Sequence, residues 1–384
     1  MRFVFVVFCL WLPGFSGWAQ GFDTIAPVAI IMDAETGTVL YEKGAREPIP
    51  PASMTKIMTL YMVFERLQSG ALSLDDKFTI SDDAWRRGGF RSGSSTMCLR
   101  PNERVRVEDL IRGVVVLSGN DAAIALAENI GGSEAMFAKT MTNRAHELGL
   151  NSVNFVNATG WPADGHEISA YDLAKLAKMT VDNFPDYYTY YAQKEYDWCK
   201  VAPSNRFNRN PLLALFAGAD GLKTGHTTKA GYGLVASAVR DGQRRIIVLS
   251  GLKSKRDRVR LSERIMRAAF SEFEVKSLFD PARAVGKVKI HLGKQKQVAV
   301  HTKQPVSIGI FKPDASKISA KIIYSGAVPA PITLGQNIAT LRISVPGQAD
   351  RDVELLASET VARQGFFKRA LSGLVLLIQG PPGE

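Results

Sequence analysis

Apolar residues recur every three or four positions in six segments between residues 53 and 273, and this spacing predicts amphipathic helices. The first helix is predicted to follow Pro50 and Pro51, to begin near Ser53 and to end at residues 69–70. Proline stops an upstream element, and the Ser-Gly pair favours a helix end. The other predicted helices cover, approximately, residues 107–117, 122–129, 133–148, 170–179 and 256–273.

Short apolar runs bounded by turn residues predict two β-hairpins in the same part of the chain. Residues 28–32 and 37–41 flank a polar turn, and residues 232–239 and 245–251 flank the sequence Arg-Asp-Gly-Gln. Residues 223–225 are predicted to lie on, or at the end of, a neighbouring antiparallel strand. Because helices and antiparallel strands occupy separate blocks, we expect an α+β fold rather than repeated βαβ units.

The pattern changes after residue 280, where short β-favouring runs alternate with turns that contain Gly or Pro. We therefore predict a first domain over residues 20–278 and a small all-β domain over residues 281–358, which carries no candidate chemistry. An amphipathic helix is predicted over residues 362–380. Its apolar run is too short to span a bilayer, and the basic residues before that run favour the membrane interface over docking on the protein itself.

The N-terminal residues have the order that is typical of a secretory signal peptide. Arg2 precedes an apolar run over residues 3–12, and small residues lead to Ala19, where cleavage is predicted. This run is short for a transmembrane helix, although an uncleaved anchor is the alternative. We therefore expect residues 1–19 to be removed and the mature chain to lie outside the cytoplasm.

Charge and cysteine content narrow the class of partner. The formal net charge of +11 favours an anionic lipid surface or polymer over nucleic acid, because no zinc-finger spacing or RNA-binding motif is present. Cys9 lies in the predicted signal peptide, while Cys98 and Cys199 either form a disulfide or are buried thiols. No His/Cys cluster has metal-ligand spacing, so we expect no metal and no other cofactor.

Ser53 and Lys56 are the first candidate catalytic residues. They lie three positions apart at the start of a predicted helix, so the hydroxyl and the amine can share one face. A serine that merely caps a helix is the ordinary interpretation of such a residue. The pair becomes a stronger hypothesis only together with other motifs.

Two further motifs follow in the chain. Ser118-Gly119-Asn120 stands where glycine breaks a helix, and Lys223-Thr224-Gly225 stands on a predicted strand. With Ser53-x-x-Lys56, and in this order, they resemble the motifs of the serine-type D-Ala-D-Ala carboxypeptidases, the low-molecular-mass penicillin-binding proteins. The second motif departs from the common form, which has Asp at the position of Gly119. The resemblance covers nearly the whole mature chain and implies a penicillin-binding/β-lactamase-like catalytic domain, an all-β domain and an amphipathic C-terminal helix.

The resemblance implies that Ser53, Lys56 and Ser118 are catalytic. Ser53 would be the nucleophile and Lys56 its base, if desolvation and the nearby charge of Lys223 keep the amine neutral. Ser118 would relay a proton to the leaving amine, and Asn120 would hydrogen-bond the substrate peptide.

The remaining site residues would bind the substrate. Lys223 and Thr224 would receive the terminal carboxylate, Gly225 would leave room for the substrate backbone, and the amides of Ser53 and His226 would form the oxyanion hole. Arg258 is a further candidate carboxylate partner, with Arg256 and Arg260 as neighbouring alternatives. His166 is expected to be structural.

The expected function is removal of the terminal D-Ala from peptidoglycan pentapeptide stems through a Ser53 acyl-enzyme, with penicillins as inhibitors. The expected location is the periplasm, at the outer face of the cytoplasmic membrane. One alternative is a β-lactamase, since residues 147–151 fit the pattern Glu-x-x-Leu-Asn, although Glu147 ends a predicted helix. Another is a non-catalytic wall-binding module, which would not need the base. Endopeptidase action on cross-links is also left open.

Overall fold

The structure is a computed structural model that describes residues 22–346 and 348–365. The predicted signal peptide, residues 1–19, lies outside this range, as does the predicted C-terminal helix from residue 366 onward. Residues 362–365, where that helix was expected to start, are not helical, and Arg363 forms an antiparallel β-bridge with Gly293. Within the described residues, no helix combines the length and the apolar character that crossing a membrane requires.

The described residues form nine α-helices and seventeen strands. The helices are α1 (Lys56–Gln68), α2 (Asp82–Gly88), α3 (Val107–Arg112), α4 (Asn120–Gly131), α5 (Glu134–Glu147), α6 (Ala170–Asn183), α7 (Pro185–Tyr188), α8 (Leu212–Leu215) and α9 (Lys255–Ser271). The strands are β1 (Val28–Asp33), β2 (Val39–Lys43), β3 (Pro48–Ile49), β4 (Lys77–Thr79), β5 (Arg104–Arg106), β6 (Ile168–Ser169), β7 (Ala219–Thr227), β8 (Gly231–Arg240), β9 (Gln243–Leu252), β10 (Phe273–Phe279), β11 (Gly286–His291), β12 (Gln297–Thr302), β13 (Val306–Phe311), β14 (Ser319–Ile323), β15 (Val328–Pro329), β16 (Asn337–Ser344) and β17 (Arg351–Ala357).

A five-stranded antiparallel sheet of order β2-β1-β9-β8-β7 forms the centre of the first domain. Both predicted hairpins are present, since β1 pairs with β2 and β8 with β9. Side chains alternate between the two faces of β1. Ile30 and Met32 enter the core shared with helices α1 to α6, while Ala29 and Ile31 enter the core under α9. The sheet therefore separates two hydrophobic cores, and β7 is one of its two edge strands.

Helix α1 runs through the larger core. Every residue from Lys56 to Phe64 is buried, and the helix contacts α4, α5 and α6. A helix that is buried on all sides is held in place by its packing rather than by its own propensity. Its first residue is therefore fixed in position relative to the central sheet.

The second domain is all-β. Strands β10 and β13 form one pair, and six strands form a sheet of order β14-β16-β17-β12-β11-β15 around a third core. Strand β10, which the sequence analysis placed mainly in the first domain, connects the two: it pairs with β13, while Phe273 packs in the core of the first domain. An α+β domain followed by an all-β domain confirms the predicted fold class.

Candidate active site

Ser53 and Lys56 face each other at the start of α1. The Lys56 Nζ donates a hydrogen bond of 3.1 Å to the Ser53 Oγ. The predicted helix start is wrong, however, because Ser53 lies in a short 3₁₀ turn, Ala52–Thr55, and the α-helix begins at Lys56. In a 3₁₀ turn the side chains at i and i+3 are eclipsed, so the spacing still brings hydroxyl and amine together.

Lys56 is buried away from any carboxylate contact in the described residues. Its Nζ also donates to Asn120 Oδ1 and to the carbonyl oxygen of Thr159, each at 2.6 Å. Burial, followed by the positive charge of Arg209, lowers the pKa of Lys56 from 10.5 to about 7, against the opposing charges of Glu134 and Asp121. An amine in this state is neutral often enough near neutral pH to accept a proton.

A second serine–lysine pair lies beside the first. The Nζ of Lys223 donates to Ser118 Oγ at 2.9 Å and, more weakly, to the carbonyl oxygen of Thr224 at 3.3 Å. Burial, and then the charge of Lys56, holds the pKa of Lys223 well below its usual range. Ser118 follows a π-helical segment, Gly113–Leu117, and adopts a left-handed backbone conformation with φ of 59°. This turn brings Ser118 and Asn120 to the two amines.

Strand β7 passes directly against the Ser53 turn. A Cβ atom added at Gly225 would lie 2.7 Å from the carbonyl oxygen of Pro51 and 3.2 Å from the Cβ of Ala52. Gly225 is predicted to leave room for the substrate backbone, and in the structure the glycine also lets the strand approach the turn. Packing of β7 against the turn keeps Lys223 and Thr224 close to Ser53.

An open cleft of about 580 Å³ lies over these groups. Six of the predicted site residues line it, namely Ser53, Ser118, Thr224, Gly225, His226 and Arg258. The other three, Lys56, Asn120 and Lys223, are buried beneath it. A larger cavity of about 870 Å³ lies between the two domains but is lined by neither serine–lysine pair.

Arg258 and His226 form one wall of the cleft with Tyr232. The exposed His226 ring stacks on Tyr232 with centroids 3.9 Å apart, and the Arg258 guanidinium lies 5.4 Å from the Tyr232 centroid. Arg258 is 5% exposed, and among the described residues its Nε has no hydrogen-bond partner. Burial lowers the pKa of Arg258 to about 10. The alternatives Arg256 and Arg260 are both exposed and do not line the cleft.

Comparison with known proteins agrees with this geometry. A family model described as D-alanyl-D-alanine carboxypeptidase matches residues 18–254, and a model described as the C-terminal domain of penicillin-binding protein 5 matches residues 273–363. The chain belongs to the D-alanyl-D-alanine carboxypeptidase family.

Curated relatives extend over nearly the same length. The chain is 35% identical to D-alanyl-D-alanine carboxypeptidase DacF of Bacillus subtilis over 346 residues, 89% of this chain and 87% of the relative. It is also 35% identical to DacC of Escherichia coli over 343 residues, 88% of this chain and 85% of the relative.

Solved structures of related proteins share the fold. D-alanyl-D-alanine carboxypeptidase DacD from Francisella tularensis superposes with a TM-score of 0.73 at 30% identity, covering 92% of this chain and 100% of that one. Penicillin-binding protein 5 from Haemophilus influenzae superposes with a TM-score of 0.69 at 31% identity, covering 90% and 99%.

The β-lactamase alternative loses its supporting observation within this family. Glu147, the candidate base of that alternative, ends helix α5, lies exposed and forms an ion pair of 2.8 Å with Arg144. It does not line the cleft over Ser53. The family match and the position of Glu147 both favour the carboxypeptidase over the lactamase.

Two groups that act on Lys56, the Thr159 carbonyl and the Arg209 side chain, were not among the predicted site residues. The Thr159 carbonyl that accepts from Lys56 belongs to a turn in which Asn157 Oδ1 accepts from the Gly160 amide at 2.7 Å. Arg209, rather than Lys223, is the main charged neighbour that lowers the pKa of Lys56. The Asn-Ala-Thr-Gly turn was a usable signal for the Thr159 carbonyl, whereas nothing near Arg209 marks it.

Two polar residues next to the motifs have structural partners. Asp121 is the second residue of α4, and its carboxylate accepts from the backbone amides of Met97 and Leu99. His166 lies 2.8 Å from Thr55 Oγ1 through its Nε2. No cluster of three or more His, Cys, Asp or Glu in the described part of the chain could hold a metal.

Proposed function

We propose that this carboxypeptidase removes the terminal D-Ala from peptidoglycan stem peptides that end in D-Ala-D-Ala, and that penicillins acylate the same serine. The observation that carries the proposal is the buried Lys56 amine 3.1 Å from the Ser53 hydroxyl. A free hydroxyl hardly ionises at neutral pH, so it needs such a base.

The acylation step follows from the two serine–lysine pairs. Neutral Lys56 has two N–H groups, which donate to Asn120 Oδ1 and to the Thr159 carbonyl, and its lone pair faces the Ser53 hydroxyl. The lone pair accepts the Ser53 proton while Oγ attacks the carbonyl carbon of the penultimate D-Ala. Ser118, which accepts a hydrogen bond from Lys223, passes its hydroxyl proton to the departing amine and regains a proton from the lysine pair, which holds the one taken from Ser53. The peptide bond then breaks and D-Ala leaves with no net loss of a proton. Water then hydrolyses the ester and restores the Ser53 hydroxyl.

Substrate binding uses the free edge of the sheet. Strand β7 has no strand partner on its outer side among the described residues, so an extended peptide can add there by backbone hydrogen bonds. Because Asn120 Oδ1 faces Lys56, its amide nitrogen is free to donate to a substrate carbonyl. The buried Arg258, together with Lys223 and Thr224, would bind the terminal carboxylate, and the amides of Ser53 and His226 would bind the oxyanion.

We also propose that the protein acts in the periplasm, held at the outer face of the cytoplasmic membrane. The support comes from the sequence alone: the signal-like residues 1–19 and the amphipathic residues 362–380. Membrane fractions should contain the full chain, and truncation after residue 361 should release it in soluble form. A full chain that is soluble after cell lysis would contradict the anchor.

Mass spectrometry of the intact protein after penicillin treatment tests the nucleophile. We expect one penicilloyl adduct on the wild type and none on Ser53→Ala. Digestion of purified muropeptides, with identification of the bond that is cut, then separates carboxypeptidase from endopeptidase action. Rapid penicillin turnover without an adduct would indicate a lactamase, and peptide binding without D-Ala release would indicate a binding module.

A further inference from the structure

A disulfide between Cys98 and Cys199 joins two loops that line the active-site cleft. The first, called here the 94–99 loop, contributes Ser95 to the cleft. The second, called here the 193–211 loop, contributes residues 204, 205, 207–209 and 211. Neither cysteine lines the cleft, but each lies in a loop that does.

The 94–99 loop is fixed to the catalytic motif. The carboxylate of Asp121, the residue after Asn120, accepts from Thr96 Oγ1 at 2.6 Å and from two backbone amides of this loop. The backbone N–H of Asn120 in turn donates to the backbone carbonyl of Ser95 at 2.8 Å. Cys98 has a left-handed backbone with φ of 66°, which is unfavourable for a non-glycine residue and persists only where the surroundings hold it.

The 193–211 loop depends more strongly on contacts with other segments. Its two ends are anchored, because Tyr196 donates to Asp109 and Asn210 donates to the Gly221 carbonyl. Backbone hydrogen bonds within the loop join residues 194 and 196 to residues 208 and 206 around the bridge between Glu195 and Phe207, whereas residues 199–205 have only turn bonds. Residues 199–205 therefore depend on contacts with other segments of the chain.

Within the described residues, the hydrogen bonds from residues 199–209 to segments outside the loop go to the 94–99 loop. Besides the disulfide, Asn205 Nδ2 donates to the Thr96 carbonyl at 2.9 Å, and Arg209 donates to Ser95 Oγ. The disulfide is the covalent member of this set and closes a sequence separation of 101 residues. Two hydrogen bonds between exposed or half-buried groups would hold a loop far less firmly.

We propose that the Cys98–Cys199 disulfide is a positioning element of the active site, which holds Asn205 and Arg209 at the cleft mouth by fastening the 193–211 loop to the 94–99 loop. This inference rests on the proposed carboxypeptidase function. Arg209 matters for two reasons: it is a cation in the cleft wall facing an anionic peptide terminus, and its charge lowers the pKa of both Lys56 and Lys223.

Breaking the disulfide should therefore change catalysis in two measurable ways. The kcat/KM for a D-Ala-D-Ala peptide should fall by about tenfold, mostly through KM, because a charge-assisted contact to the substrate is weakened. The acidic limb of the pH profile should move to higher pH, because Lys56 loses part of the positive potential that favours its neutral form. A merely structural disulfide would lower thermal stability without moving the pH profile.

The experiment compares the wild type with the double variant Cys98→Ser/Cys199→Ser and with wild type reduced by dithiothreitol. Val288→Ala serves as the matched control, because it makes a cavity in the core of the second domain and lowers stability away from the cleft. The reduced wild type, checked by thiol labelling and circular dichroism, keeps the test decisive if the double variant does not fold.

Each outcome separates the two proposals. A higher KM and a shifted pH profile in the double variant and in the reduced protein, with neither change in Val288→Ala, supports the positioning role. Unchanged KM and pH profile, with only a lower melting temperature, overturns it while leaving the carboxypeptidase function intact. Absence of D-Ala release from the oxidised wild type would instead contradict the proposed function itself.

Discussion

Two lysine side chains are buried beneath the cleft, and each donates to a serine hydroxyl rather than to a carboxylate. A buried ammonium without a counter-ion is unfavourable, so both sites favour the neutral amine. Because the two amines lie close together, the charge of one further disfavours the charge of the other. The pair therefore titrates as a unit, in which one proton is accepted more readily than two.

The pH dependence of acylation follows from the lowered pKa of Lys56. Its value of about 7 means that the neutral base is lost as pH falls through 7 and is fully present well above it. We expect the rate of acylation by a fluorescent penicillin to rise about tenfold per pH unit below this midpoint and then to level off. Stopped-flow measurements between about pH 5 and pH 9 check this.

The protein must also be shown to be folded at each pH. Circular dichroism should show that the protein stays native across the range, so that any loss of rate reflects the base. A rate that does not change with pH would mean that Lys56 is not the group that accepts the Ser53 proton.

The close approach at Gly225 gives a second prediction at the residue scale. In Gly225→Ala the new Cβ meets the backbone carbonyl of Pro51, which cannot move aside as a flexible side chain would. The Ser53 turn should shift, and a shift of this kind costs about 10- to 100-fold in the acylation rate. Penicillin acylation kinetics would show it.

Gly286→Ala is the control for this substitution, because its Cβ would meet only the flexible end of Ile322 in the second domain. It should acylate at the wild-type rate. Normal acylation in Gly225→Ala would show that the packing of β7 against the turn is not needed for the geometry of Ser53.

The sequence predicted those site residues that belong to short motifs. Ser53 and Lys56 lie three positions apart, so their contact depends on local geometry alone, and it holds in the 3₁₀ turn as it would in an α-helix. Arg209 and the Thr159 carbonyl reach Lys56 from segments more than 100 residues away along the chain. Such contacts are set by how loops pack, so the local pattern Asn-Ala-Thr-Gly can mark the turn at Thr159 but not its partner Lys56.

Among the structural elements, the loop between α5 and α6 holds the base in place. It supplies the Thr159 carbonyl to Lys56. His166 joins this loop to the 3₁₀ turn that contains Ser53, because its Nε2 lies 2.8 Å from Thr55 Oγ1. The Val156 amide donates to His166 Nδ1 at 3.0 Å, so Nδ1 must be an acceptor and the proton lies on Nε2. Protonating the ring would place two donors against each other.

The free energy of unfolding should therefore decrease as the pH is lowered, because His166 becomes protonated. Burial, with a contribution from the Lys56 charge, lowers the pKa of His166 from 6.5 to about 4, so the unfolded state binds the extra proton first. The stabilising contribution is complete above pH 6.5 and is lost as pH falls towards 4, with a total on the order of 3 kcal/mol. Urea unfolding at several pH values measures this slope.

The variant His166→Gln removes the titrating ring and should flatten the dependence of unfolding free energy on pH over this interval. His146→Gln, which replaces an exposed ring at the end of α5, is the control and should retain the wild-type slope. Equal slopes in all three proteins would exclude His166 as the source.

Element boundaries were harder to predict than element types. The helix after residue 107 was predicted as one piece, but its last turn, Gly113–Leu117, is π-helical and ends in the left-handed Ser118. A sequence pattern with a period of 3.6 cannot distinguish the two helix types over five residues. The Asp121 carboxylate likewise depends on tertiary contacts, because it accepts from two amides of the 94–99 loop as well as from the Ala122 amide of its own helix.

At the scale of the whole molecule, a packed cluster of aromatic rings joins the two domains. Phe273 of β10 packs with Phe22, Tyr41 and Phe311, so aromatic rings from both domains form one cluster. Gln348 adds hydrogen bonds to the carbonyl oxygens of β2 and β13. Such an interface should make the domains unfold in one cooperative transition.

Gly309 lies at the closest point of this interface and provides the test. A Cβ there would lie 2.3 Å from the Val39 carbonyl oxygen and 2.7 Å from the Leu40 Cα, both backbone atoms of β2. Gly309→Val should therefore push β13 away from β2 at a cost of about 1–3 kcal/mol, and Leu40 is the core side chain that it would displace.

We expect calorimetry to show two separate thermal transitions for Gly309→Val, where the wild type and Gly286→Ala show one. Penicillin acylation should be retained in Gly309→Val, because both serine–lysine pairs lie wholly within the first domain. If acylation were lost while the first domain still melted at its normal temperature, the all-β domain would have to support the cleft directly. A single unshifted transition would instead show that β13 tolerates displacement from β2, and that the aromatic cluster alone couples the domains.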